Sequence, residues 1–90
     1  MRAVHLSDLH HAACALRSLP DEARAGRMQT ALIHAKAADL YRKRTRKSHA
    51  QFGHGTLSSA FGPVDVPPRC DTAYLRALRV VVTELLHDND

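Results

Sequence analysis

Tryptophan is absent from this chain of 90 residues, and two phenylalanines and two tyrosines supply all of its aromatic bulk. Without large rings, a core has to be closed by small and branched aliphatic side chains. The abundance of alanine points to closely packed helices. Only two cysteines are present, Cys14 and Cys70. That number excludes a disulfide framework, and in a cytoplasmic setting both are expected as thiols. No CxxC or HxxxH pair announces a zinc module. No run approaches the roughly 20 apolar residues of a membrane span. The first twenty residues, broken by Asp8, His10 and His11 and lacking a small-x-small cleavage site, do not read as a signal peptide. The expected location is the cytoplasm, with no membrane partner. Neither a Walker loop nor a GxGxxG turn after a strand occurs, and no serine elbow or paired-carboxylate pattern is present. No cofactor and no enzymatic activity are expected.

What is present is positive charge and helical periodicity. A net charge of +4 favours an anionic partner. A chain this short forms one domain, expected over residues 1–90, and buries only about 60–65% of its unfolded surface. Ser7 is placed to cap a first helix over about 8–18, with Leu6, Leu9, Ala13, Leu16 and Leu19 recurring at steps of three and four until Pro20. Pro20-Asp21-Glu22 opens a second, alanine-rich helix over about 21–47. Met28, Leu32 and Ala35 form one of its faces, and Ile33, Ala37 and Leu40 a second, so it is expected to be touched from two sides. Asp71 caps a third helix over about 71–87, with Tyr74, Leu75, Leu78, Val81, Val82, Leu85 and Leu86 as its apolar stripe.

Between them, residues 48–70 are punctuated by Gly53, Gly55, Gly62, Pro63, Pro67 and Pro68 and read as a long loop. Within it, Thr56 is placed to cap a short turn, LSSAF, that ends at Gly62. Phe52, Leu57 and Phe61 are expected to insert into the core. The fold class is therefore all-α: a small three-helix domain with a long packed loop between the second and third helices.

The chemistry concentrates in YRKRTRKSHAQFGHGTL, residues 41–57. Arg42, Lys43, Arg44, Arg46, Lys47 and His49 fan around the end of the second helix, at a density that suits phosphate binding. Tyr41 and Phe52 are candidates for stacking on unpaired bases. The bland counterpart is that cations at a helix carboxyl end simply favour its dipole. Gly53, Gly55 and Thr56 have two readings as well. They form either a stop, a tight turn and a cap, or a nest of backbone N–H groups that receives a phosphate. His10 or His11 with Cys14, completed by Cys70, His49 or His54, is the strongest metal combination. Cys14 reads better as a small core residue, and no metal site is expected. Cys70, after Arg69 and before a helix start, is placed for thiol reactivity, which would need a base such as His49 or His54.

The segments AADLYRKRTRKSHAQFGHGTLSSAF and YLRALRVVVTELL resemble a family of short uncharacterised alphaproteobacterial proteins. Its pattern is A-A-D-x-Y-R-[KR]-R followed by H-x-x-[WF]-G-x-G-[ST]-L. The matching positions are Ala37, Ala38, Asp39, Tyr41, Arg42, Arg44, His49, Phe52, Gly53, Gly55, Thr56 and Leu57. Ala50 stands where the pattern favours proline. The resemblance implies a domain of unknown function and assigns no activity. The residues thus lead to a non-enzymatic binding or adaptor protein, with nucleic acid as the leading ligand. The alternative is a protein–protein or homodimerisation module that buries the second face of the long helix.

Overall fold

Alanine sets the spacing of the helices. Ala12, Ala13, Ala31, Ala35, Ala38 and Ala77 are wholly buried, which lets backbones approach closely where larger side chains would hold them apart. The computed structural model describes residues 1–89 and contains α1 (Leu6–Arg17), α2 (Asp21–Thr45), α3 (Leu57–Phe61) and α4 (Thr72–Asp88). Leu16, Met28, Leu57 and Val81, one from each helix, are the largest fully buried side chains. No strand occurs among the described residues, only an isolated antiparallel bridge between His49 and Gly53. The three-helix description is thus corrected to four. The turn expected at LSSAF is a helix of its own, capped by Thr56, whose hydroxyl accepts from the Ser59 N–H at 3.2 Å.

The helix ends depart from expectation for identifiable reasons. Ser7 is not the cap of α1; the cap is His5, two residues earlier. The buried Asp8 reaches back to accept the His5 N–H at 2.9 Å, and its other oxygen accepts from the Ser58 hydroxyl at 2.5 Å and the Ser58 N–H at 3.2 Å. One carboxylate therefore serves the starts of two helices. Burial works against its charge, but these hydrogen bonds prevail and hold the carboxyl below its ordinary range. At the other end of α1, the buried Arg24 donates to the carbonyls of Leu16 at 2.9 Å and Arg17 at 3.2 Å, and pairs with Asp21.

α2 stops at Thr45 instead of Lys47. No glycine is at hand, so Arg46 itself takes the left-handed position, with φ of 61°, and donates its N–H to the Arg42 carbonyl at 2.7 Å. The Asp71 cap of α4 accepts the Tyr74 N–H at 2.8 Å, as expected, and is also gripped by Arg17 through both oxygens. Leu57 enters the core, and Phe61 packs at its edge beneath the Arg27 guanidinium, 4.6 Å from the ring centre. One buried Arg27 nitrogen has no hydrogen-bond partner among the described residues, and the ring face stands in for one. Phe52 does not insert. It is clasped between His34 and His49 on the flank of α2, with ring centres 3.9 and 4.5 Å apart.

Candidate nucleic-acid interface

At the carboxyl end of α2, Asp39 is the organising side chain. Only 3% of it is exposed. Arg42 lies 2.9 Å away, Lys43 3.3 Å and the Met1 α-amino group 3.4 Å. The Arg42 hydrogen bond, opposed by burial and aided by Lys43 and the amino group, holds the carboxyl down at about 2. Gly55 lies directly on this residue. Its φ is +96°, and a Cβ there would sit 2.8 Å from the Asp39 Cβ and 2.9 Å from its Cα. Only glycine allows the turn to rest on the helix at that point. The Gly55 carbonyl in turn accepts the Arg2 N–H at 2.8 Å, so the amino-terminal segment is drawn to the same place. There the Arg2 guanidinium reaches His54 Nδ1 at 3.4 Å, a contact that requires Nδ1 to be the accepting nitrogen.

The turn is held by its own groups. His49 and Gly53 exchange backbone hydrogen bonds at 2.7 and 3.1 Å, and His49 Nδ1 accepts the N–H groups of Gln51 and Phe52, both at 3.1 Å. Ser59 Oγ accepts the His54 N–H at 3.3 Å. The N–H groups of Gly53 and His54 are therefore committed within the protein, and Thr56 caps α3 as the stop, turn and cap reading expects. Base stacking loses its main candidate too. Both faces of Phe52 are covered by imidazoles, and Tyr41 meets His49 edge-on at 5.2 Å.

What remains is an open depression of about 560 Å³ lined by Arg2, Arg42, Lys43, Arg46, Lys47, Ser48 and His54. Five of these side chains are cationic and none is a carboxylate. Four of the basic residues singled out in the sequence are thus brought together. Arg44 does not line the depression. His49 clasps Phe52, and Gly53, Gly55 and Thr56 shape the backbone. Sequence reasoning missed Arg2 and Asp39. Asp39 precedes Arg42 and Lys43 by three and four residues, a helical ion-pair spacing that was open to inspection. Nothing in the sequence signals the approach of Arg2 to Gly55.

The remaining chemistry is dispersed. His10 Nδ1 pairs with the Tyr74 hydroxyl at 2.8 Å, and its Nε2 lies 3.7 Å from Cys14 Sγ. His11 Nε2 donates to the Gly62 carbonyl at 2.6 Å. His49 and His54 are engaged as described. Among the described residues, no group of three or more histidine, cysteine, aspartate or glutamate side chains is gathered for a metal ion. Cys14 is a buried core residue, where burial pushes its thiol up, and Cys70 is exposed. Among the described residues, no helix is long and apolar enough to cross a membrane. Comparison with curated proteins and with solved structures finds no match. A family model does match, over residues 2–85, and by it the chain belongs to the family of the domain of unknown function DUF7742.

Proposed function

We propose that this protein is a non-enzymatic binding protein that engages the phosphate backbone of a nucleic acid at the carboxyl end of α2. The observation that carries this reading is the depression lined by five cations and no carboxylate, contributed by two segments some forty residues apart. Cations that neutralise a helix end need not converge, whereas cations that hold a polyanion must. Asp39 supports the arrangement from below: its charge is spent on Arg42, Lys43 and the amino terminus, leaving Arg46, Lys47 and Arg2 for a ligand. Because Phe52 is clasped on both faces, the reading favours a duplex, bound through its backbone, over a single strand bound by stacking. It retains the narrower membership expected from the sequence, a short alphaproteobacterial family, and a cytoplasmic, bacterial setting.

The test is fluorescence anisotropy with generic duplex DNA and with single-stranded RNA, titrated over salt. Neutralisation by the three cations left for a ligand predicts a slope of log K against log salt of about −3. Replacing Arg2, Arg46 and Lys47 together by alanine is expected to make that slope shallower by about three. Absence of binding at low salt overturns the reading. The alternative, a protein–protein module, draws support from a different face of α2.

A further inference from the structure

The longest helix carries a seam on the side away from the core. Gly26, Thr30, Ile33, Ala37, Leu40 and Arg44 follow one another by alternate steps of four and three, and all six are exposed. Ile33 is 66% and Leu40 54% accessible, large values for branched aliphatic side chains in the middle of a helix. Alternation of three and four keeps a row facing one partner helix along its whole length. The core-facing residues Met28 and Ala35 lie on the opposite side, so nothing in the packing of the described residues accounts for the seam.

Gly26 is the second observation. Glycine inside a helix is unfavourable relative to alanine. Here neither a turn nor a close neighbour requires it: a Cβ at Gly26 would meet nothing within 4 Å. A glycine on a helix surface admits the close approach of another backbone or a large side chain. Charge supplies the orientation. α2 opens with Asp21 and Glu22 and closes with Arg42, Lys43 and Arg44. Two copies laid side by side in parallel would press like charges together at both ends. An antiparallel pair sets Glu22 of one against the Arg44 end of the other, and Gly26 and Thr30 against Leu40. Opposed dipoles favour the same direction.

From these features we infer that α2 pairs with α2 of a second copy of this chain, antiparallel and along this seam. The occupant fits because the face is self-complementary under a two-fold axis near the helix centre, with Leu40 meeting Gly26 and Thr30, Ile33 meeting its own copy, and acid meeting base. Arg44, which lies outside the basic depression, takes its place here. The two depressions then stand at opposite ends of the pair. α4 carries a comparable row of exposed residues, Leu75, Val82 and Leu86. It lacks an acidic first turn to oppose its basic last turn, so it serves as the internal control. With two large apolar residues per copy the pair is a weak one, its dissociation constant on the order of 10 µM.

Sedimentation equilibrium of the intact chain tests this. A reversible dimer of twice the 10.0 kDa monomer is expected, with Leu40→Lys shifting the dissociation constant upward by about 100-fold or more while the circular dichroism spectrum is unchanged. Leu75→Lys is expected to leave association as it was. Glu22→Lys should weaken the pair about tenfold, and Glu22→Lys combined with Arg44→Glu should restore it, a rescue that only the antiparallel register provides. A chain still monomeric at about 300 µM overturns the inference. So does a dimer that survives Leu40→Lys or one that Leu75→Lys abolishes. Should Leu40→Lys fail to fold, the charge exchange decides alone: lack of rescue overturns the pairing. None of these outcomes depends on nucleic-acid binding.

Discussion

The two ends of α2 use their cations in opposite ways. At the amino end, Arg24 is buried and spent on the last carbonyls of α1, while Arg17 grips Asp71 at the start of α4. At the carboxyl end, Arg42 and Lys43 attend to Asp39, but among the described residues no carboxylate pairs with Arg46, Lys47 or Arg2. The same residue type thus does structural work in one place and stands available in the other. Net charge does not tell these apart. What separates them is whether a buried acceptor or an acid already occupies the guanidinium.

The contrast can be broken first at the carboxyl end, through Gly55. Gly55→Val forces a side chain into Asp39 at a positive φ and should destabilise the fold by about 3 kcal/mol, read as a lower midpoint in urea. Arg24→Ala attacks the other end. It removes the side-chain donor to the Arg17 carbonyl and one of the donors to the Leu16 carbonyl, which keeps the Leu19 N–H. The expected loss is about 1 kcal/mol, yet the salt dependence of DNA binding should be unchanged.

Acid reaches both ends at once. Asp39 and Asp71 are each held at about 2, below the ordinary 3.8. A carboxyl whose pKa is lower folded than unfolded contributes its stability above the unfolded value. That contribution is lost as pH falls from about 4 towards 2. Denaturant midpoints measured across that window should decline, and Asp39→Asn and Asp71→Asn should each flatten part of the decline. The smallest effect on stability belongs to Arg46→Ala with Lys47→Ala, within about 0.5 kcal/mol of the parent. The same pair should show a clear loss of polyanion affinity. A large loss of stability there would erase the distinction between the two ends.

Much of the fold was readable because it rests on local rules. The Asp71 cap and the Thr56 cap with its LSSAF turn each follow from spacing and capping chemistry. The second face of α2, expected to be touched from another side, is instead left exposed at Ile33, Ala37 and Leu40, because the other helices pack on the Met28 side. Several of the failures share a cause in contacts between residues far apart in the chain. Asp8 replaced Ser7 as the organiser of the first helix start because Ser58 and His5 both needed its oxygens. Phe52 stayed out of the core because His34, on a helix turn away from Met28, offered it a stacking face. The basic depression was half visible, as a run of cations. Its other wall, Arg2, depended on a backbone hydrogen bond across more than fifty residues that no pattern in the chain announces.

The way Arg2 is held bears on exchange and local opening. The segment before α1 is fastened by the Arg2 N–H to Gly55, the Met1 amino group on Asp39 and the packing of Met1 at the edge of the core. Those ties can part while all four helices remain intact, so this segment should open more often than the domain unfolds. Its amide at Arg2 would then exchange hydrogen faster than those of the buried turns of α2. An anion that bridges Arg2 to Lys47 would slow that exchange, making protection at a single backbone amide a direct gauge of occupancy.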